Sequence, residues 1–299
     1  VRADGSPLYT LAVAVDDILM KVTHVLRGED LLSSTPRQIR VYQAMGVKPE
    51  DYPVFAHLPF VMGQDNAKLS KRNGEVSIAW YREQGYLPEA ICNYLALLGW
   101  SPGDDRENVT MAELCELFTV DKVHSSPARF DMKKLEAING DKIRALTLDD
   151  FLKWSLPFLT KANVISGSDA EIALVKQALP LIQERIVKLD EVPAMLRFLF
   201  VKDFKVEEAS LPKVTDSASK DVLKRSLAEL TPLTTWNHES IEAALRASLI
   251  EEMGLKPRIA FGAVRIATTG STISPPLFES MELLGKDACL ARITAAIAL

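Results

Sequence analysis

The sequence has 299 residues, 47% of them hydrophobic and 25% charged, with a formal net charge of −5. That is room for about two domains with real cores, and an acidic body of this kind confines any polyanion site to a local basic patch. Cys92, Cys115 and Cys289 stand far apart with no CxxC or Cys/His cluster, which argues against a zinc site and for a reducing compartment. No apolar run reaches transmembrane length and no signal-peptide pattern is present.

Residues 7–60 read as mixed α/β. An apolar run from Tyr9 ends at Asp16-Asp17, a pair better read as a helix end than as a metal site. Val22-Thr23-His24-Val25-Leu26 is β-branched and bounded by charge, which predicts a buried strand. Ser33-Ser34-Thr35-Pro36 starts a helix that stops near Gly46. A second strand spans 53–61, with His57 between apolar neighbours as a core or supporting histidine rather than a base. Strand–helix–strand is a βαβ unit, and such sheets hold ligands beyond the carboxyl ends of their strands. There the chain carries Lys68-Leu69-Ser70-Lys71-Arg72, between Gly63 and Gly74. Alone, that run reads as a solvated turn. At a sheet's ligand edge it can fold over a polyphosphate, with ammonium groups neutralising charge and hydroxyl and N–H groups donating.

After Gly74 the period changes from strand to helix. Helices are expected over 77–84, 88–98, 111–117, 132–138, 148–159, 169–181, 192–200, 217–230, 238–253, 256–267, 276–284 and from 286 onward, with breaks at 101–105, 206–216 and 269–276. Thr147 and Ser168 stand at cap positions before acidic first turns.

Several ordered motifs carry a family resemblance: Tyr9-Thr10-Leu11-Ala12-Val13-Ala14-Val15-Asp16-Asp17, Val22 to Asp30 (with Arg27-Gly28-Glu29-Asp30), Ser34-Thr35-Pro36-Arg37-Gln38, His57-Leu58-Pro59, the basic run, and Ser274-Pro275-Pro276-Leu277-Phe278. Together they resemble the second half of a bacterial glutamyl-tRNA synthetase, a class I aminoacyl-tRNA synthetase whose KMSKS signature is similar to the basic run. The resemblance implies an α/β nucleotide-binding (Rossmann-type) remnant followed by a large all-α region. Residues 1–63 would be the end of the catalytic domain, 64–145 the KMSKS loop and stem-contact domain, and 146–206 and 207–299 two helical anticodon-binding subdomains. No His-x-Gly-His occurs, the four histidines being His24, His57, His124 and His238. The HIGH half is therefore expected to precede Val1, and the piece by itself to lack a complete active site.

The roles are likewise implied by the resemblance. The reaction is ATP-dependent activation of L-glutamate and its transfer to tRNA(Glu), in the cytoplasm and by a monomer, with Mg2+ arriving on ATP. Lys71 and Lys68 would be catalytic. Lys68, Leu69, Ser70, Lys71 and Arg72, with Asp30 and the main chain of Val61, would bind ATP. Arg27 would pair with the substrate's side-chain carboxylate, its alternative being a salt bridge to Glu29 or Asp30. Tyr9 would line that pocket, or else be a core tyrosine, and Val13 would add shape. Arg129, Lys133 and Lys134 would touch tRNA phosphates, unless they only begin a solvated helix. Gln183 and Arg185, then Arg197, Arg258 and Arg265, are candidates for anticodon reading. With Gln183 where the family rejects glutamine-type tRNA, tRNA(Gln) becomes a second partner. Two rivals remain: a tRNA-binding module without catalysis, and a nucleotidyltransferase of another kind sharing the α/β core.

Overall fold

The computed structural model describes residues 1–63, 77–124 and 128–299. They divide into two compact units, the first Val1–Tyr81 with Pro88–Ile138, the second Arg82–Leu87 with Asn139–Leu299. Both halves of the expected fold are present, a small α/β part and a long helical part.

In the first unit, helix α1 (Tyr9–Leu19) precedes strand β1 (His24–Gly28), helix α2 (Thr35–Ala44) and strand β2 (Val54–Leu58). β1 and β2 pair in parallel, Arg27 opposite His57 and Gly28 opposite Leu58, so their carboxyl ends lie side by side. Tyr42 of α2 is fully buried and stacks on Phe55 at 6.4 Å between ring centroids. Its hydroxyl donates to Asp17 Oδ2 at 3.1 Å, and burial, then Asp17, pushes its pKa up to about 12. Asp16 and Asp17 thus belong to the last turns of α1, and Asp17 serves the packing of α2. The expectation of a buried strand at 22–26 is corrected: Leu26 is 39% exposed and Val54 58%. With two strands in the sheet among the described residues, each strand is an edge and neither is enclosed.

Strand β3 (Val61–Met62) pairs in parallel with β4 (Ala128–Arg129). Between them lie helices α3 (Ile78–Glu83), α4 (Pro88–Leu97) and α5 (Met111–Leu117), the last begun by a complete capping box of Thr110 and Glu113. Asn93 of α4 is fully buried, and its Oδ1 accepts the Val109 N–H at 2.8 Å. Phe130 packs edge-on against Tyr94 at 5.0 Å. Helix α6 (Met132–Arg144) follows, its first turn capped by Asp131 Oδ1 on the Lys133 and Lys134 N–H groups.

The second unit contains α7 (Leu148–Lys161), α8 (Asp169–Ala178), α9 (Pro180–Gln183), α10 (Val192–Leu196), α11 (Pro212–Thr215), α12 (Ser217–Leu230), α13 (His238–Leu245), α14 (Pro257–Thr269), α15 (Leu277–Leu284) and α16 (Lys286–Ala298). Thr147 and Ser168 cap α7 and α8 as expected. On α14, Ala260, Ala263, Val264 and Ala267 form one buried stripe, and they share a core with Leu223, Leu230, Leu245 and Ile293. Full burial of each of the larger side chains, Val264, Leu223, Leu230, Leu245 and Ile293, contributes about 2 kcal/mol. The break expected at 206–216 holds α11 and a short 3₁₀ turn, Glu208–Ser210, because Pro212 is pre-set for a first helical turn. The helix expected at 238–253 changes winding: Arg246–Glu252 is a π-helix in which the Met253 N–H reaches Ser248 O. Ser248 Oγ also bonds back to Ala244 O at 3.0 Å, a competition that loosens regular winding.

Two local features yield stability predictions. Gly85 sits at φ +81°, and a Cβ there would lie 2.5 Å from the backbone nitrogens of Leu189 and Asp190. The site is tightened by Asn139, whose Oδ1 accepts from Leu87 N at 2.8 Å while its Nδ2 donates to Val187 O at 2.6 Å. Gly85→Ala is expected to cost about 2 kcal/mol in chemical denaturation; an unchanged midpoint would contradict this. At the start of α13, the His238 N–H donates to Glu282 Oε2 of α15, which also lies 2.7 Å from His238 Nδ1. That bond to Glu282 raises the His238 pKa above its usual 6.5. The His238 backbone N–H, then its ring, lowers that of Glu282 below 4.5. The histidine's contribution is full below 6.5 and lost as pH rises through the raised value, and the glutamate's is full above 4.5 and lost as pH falls through the lowered one. The Tm difference between wild type and Glu282→Gln should therefore peak between pH 4.5 and 6.5; a pH-independent difference would contradict the pairing.

Candidate active site

The carboxyl ends of β1 and β2 place Arg27 and His57 in register. Arg27 Nε donates to His57 Nε2 at 3.3 Å; a guanidinium can only donate, so this imidazole nitrogen accepts. Arg27 Nη2 donates to Gln38 Oε1 at 2.7 Å and Thr35 Oγ1 at 2.8 Å, with Leu31 O at 3.4 Å. Thr35 Oγ1 lies 3.1 Å from His57 Nε2. Nη1 faces the open side and donates to Tyr9 Oη at 3.5 Å. The Phe55 ring lies 5.6 Å from the guanidinium carbon. None of these partners is a carboxylate, and among the described residues Arg27 has no carboxylate partner. The alternative of a salt bridge to Glu29 or Asp30 does not form. Glu29 Oε1 instead accepts the Phe60 N–H at 3.2 Å, and Asp30 folds back toward Gly28, where a Cβ would lie 2.5 Å from its Oδ1.

Tyr9 is 50% exposed among the described residues. Val13 stands one turn further along α1 and is half-buried. Asp30 is exposed in the 3₁₀ turn Glu29–Ser34 after β1, and Val61 is half-buried in β3. Val61 helps line an apolar cavity of about 310 Å³ with Leu58, Pro59, Trp100 and His124. Lys68, Leu69, Ser70, Lys71 and Arg72 fall in residues 64–76, outside the described residues.

The basic residues assigned to tRNA differ in setting. Arg129 and Lys133 are exposed, whereas Lys134 pairs with Glu107 at 2.7 Å. In the second unit the Gln183 amide donates to Ile143 O and Leu146 O, both at 2.9 Å, and to Arg144 O at 3.3 Å. It thereby satisfies carbonyls at the end of α6. Arg185, Arg197 and Arg258 are exposed. Arg265 donates to Ser274 Oγ at 2.5 Å and Pro275 O at 2.8 Å, which ties the Ser274-Pro275 segment to α14. Its burial, and then the charge of Arg185, lowers its pKa. Sequence reading left out Gln38 and Thr35 as partners of Arg27. Their signal was present as Ser34-Thr35-Pro36-Arg37-Gln38, read there as a helix start. α2 does start there, but with no side-chain cap bond from Ser34, and Thr35 turns to Arg27.

Among the described residues no group of three or more His, Cys, Asp or Glu side chains is placed to hold a metal, and no helix is long and apolar enough to cross a membrane. The Cys289 thiol, buried in the second unit, is pushed up to about 12 by that burial, so it is no nucleophile at neutral pH.

A model of the class I tRNA synthetase (E and Q) catalytic domain matches residues 1–137, and one of an anticodon-binding domain matches 147–297. The chain belongs to the class I tRNA synthetases of this glutamate and glutamine group. Among its relatives are the glutamate–tRNA ligases of Saccharopolyspora erythraea (49% identical, covering 99% of this chain and 60% of that protein) and Nocardioides sp. (50%, covering 99% and 62%). A solved structure of a glutamate tRNA ligase from Elizabethkingia meningosepticum, in complex with its amino acid, matches with a TM-score of 0.82 at 30% identity, covering 100% of this chain and 61% of that one. The chain thus spans about 60% of the length of the curated relatives it matches.

Proposed function

We propose that the protein carrying this chain is a glutamate–tRNA ligase, which activates L-glutamate with ATP to glutamyl-adenylate and transfers it to the 3′-end of tRNA(Glu). The observation that carries this reading is Arg27: a half-buried guanidinium at the ligand edge of a parallel sheet, bonded to His57, Thr35 and Gln38 and without a carboxylate partner among the described residues. A cation so placed keeps its charge for an incoming carboxylate. Tyr9 and Val13 would border the same pocket. Lys71 and Lys68, with Leu69, Ser70 and Arg72, would grip the triphosphate, Asp30 and the Val61 main chain would lie on the nucleoside side, and Mg2+ would arrive bound to ATP. The catalytic work is positioning and stabilisation of charge in the transition state.

Arg129 and Lys133 are exposed cations suited to tRNA phosphates, Lys134 being shared with Glu107, and Arg185 is an exposed candidate for anticodon reading. With its amide nitrogen on the carbonyls closing α6, Gln183 offers its remaining oxygen for base contact, and on this reading tRNA(Gln) is a second substrate. The enzyme acts in the cytoplasm as a monomer. The test is glutamate-dependent ATP–pyrophosphate exchange and aminoacylation by the full-length protein. Glutamate-dependent exchange is the expected result. Exchange driven by another amino acid, or none with any, overturns the reading.

A further inference from the structure

We propose that Gln38, with Thr35, is a positioning residue that fixes Arg27 so that only its Nη1 edge, beside the Tyr9 hydroxyl, receives the substrate carboxylate. This rests on the reading of Arg27 as the glutamate-binding arginine. A guanidinium has five N–H donors. Nε is committed to His57, and the two hydrogens of Nη2 to Gln38 Oε1 and Thr35 Oγ1 at 2.7 and 2.8 Å, all in the half-buried wall of the site. Both forked arrangements by which arginine grips a carboxylate need a hydrogen on Nη2. Either fork would break a short bond already made. Nη1 meets only the exposed Tyr9 Oη, at the long distance of 3.5 Å. The carboxylate therefore docks end-on against Nη1, and Tyr9, accepting from Nη1, gives its own O–H to the second oxygen.

This arrangement explains selection as well as binding. Two donors face the substrate's terminal group. A carboxylate answers both with oxygen acceptors, whereas a side-chain amide answers one and sets its NH₂ against the other. A site built this way rejects the amide by leaving donors unpaired.

Gln38 carries the mark of a residue kept for this purpose. It is fully buried, and its Nε2 has no partner among the described residues. Turning the amide over would set Nε2 against the guanidinium donors, so Arg27 fixes its orientation. An unsatisfied buried donor works against stability, and a leucine of similar volume would remove it. Glutamine thus serves the arginine at the fold's expense.

The experiment is steady-state ATP–pyrophosphate exchange on the full-length protein, with Tm measured on each variant. Gln38→Leu should keep or raise Tm and leave KM for ATP within about twofold, while KM for glutamate rises about ten- to hundredfold, as for the loss of a bond to a charged group. Gln38→Glu places a carboxylate on Arg27 and cancels its charge, so discrimination between glutamate and glutamine should narrow by at least about tenfold. If wild type activates glutamate and a folded Gln38→Leu shows an unchanged glutamate KM, the positioning role falls while the ligase reading stands. If Gln38→Leu does not fold, unchanged selectivity in Gln38→Glu overturns the role instead. A wild type that activates no glutamate removes the reading beneath both.

Discussion

Arg27→Ala in the full-length protein is expected to raise KM for glutamate about a hundredfold, with KM for ATP within about twofold. Among the described residues the guanidinium charge meets no carboxylate. Losing the charge-assisted Nη1 bond to the substrate carboxylate, together with the charge behind it, is worth about 3 kcal/mol, or about a hundredfold in affinity. Arg27→Lys should not rescue. An ammonium lacks the planar fork and cannot reach His57, Thr35 and Gln38 together while still facing the substrate. The fold should tolerate both changes at some cost, because Gln38 Oε1 and Thr35 Oγ1 lose a donor in a partly buried wall; Tm and far-ultraviolet circular dichroism check that. Glutamate kinetics unchanged from wild type would remove Arg27 from the pocket.

Lys71→Ala should lower the rate of adenylate formation by about 10² to 10³, the usual result of deleting one group that stabilises developing charge. Its binding of tRNA should stay within about twofold, as should KM for glutamate. A loss confined to kcat is the signature of an interaction realised in the transition state rather than on binding. Lys71 lies in the stretch that follows β3 and the buried Gly63, and its role comes from the resemblance of Lys68-Leu69-Ser70-Lys71-Arg72 to a KMSKS loop together with the family match over residues 1–137. Pyrophosphate exchange and tRNA filter binding on one preparation separate the two effects. Equal losses in both would contradict the assignment.

Much of the fold was legible because its signals are local. α5 and α12 begin and end where apolar spacing places them, and α7 and α8 begin where Thr147 and Ser168 place them, since a helical face repeats every three or four residues and a cap bond spans three. The parallel pairing of β1 with β2 followed from strand–helix–strand order. The π-helix at Arg246–Glu252 was not legible, because its apolar spacing over one turn scarcely differs from that of an α-helix. Nor was the exposure of β1: a β-branched run announces a strand, but its burial depends on how many strands lie beside it.

The candidate site divides the same way. Arg27 could be named from the sequence, by its place at a strand's carboxyl end and by the motif around it. Its bonding could not be. Tyr9, Thr35, Gln38 and His57 come from α1, the two ends of α2's first turns and β2, and nothing in their own stretches of chain shows that they meet. Gln183 offers the counterpart: the family resemblance names it as a candidate for reading the anticodon, and only folding brings the carbonyls of Ile143, Arg144 and Leu146 to its amide.

The sequence by itself thus determined the order of the elements, the caps, the α/β-then-helical organisation, and the residue types at the ligand edge. All of these rest on interactions between residues close together in the chain. Tertiary structure decided which edge of the arginine is open, which polar side chains bond to distant segments of the fold, and how exposed the small sheet remains. Those outcomes depend on hydrogen bonds between distant segments, and a buried donor or acceptor takes whichever partner the packed chain brings within about 3 Å.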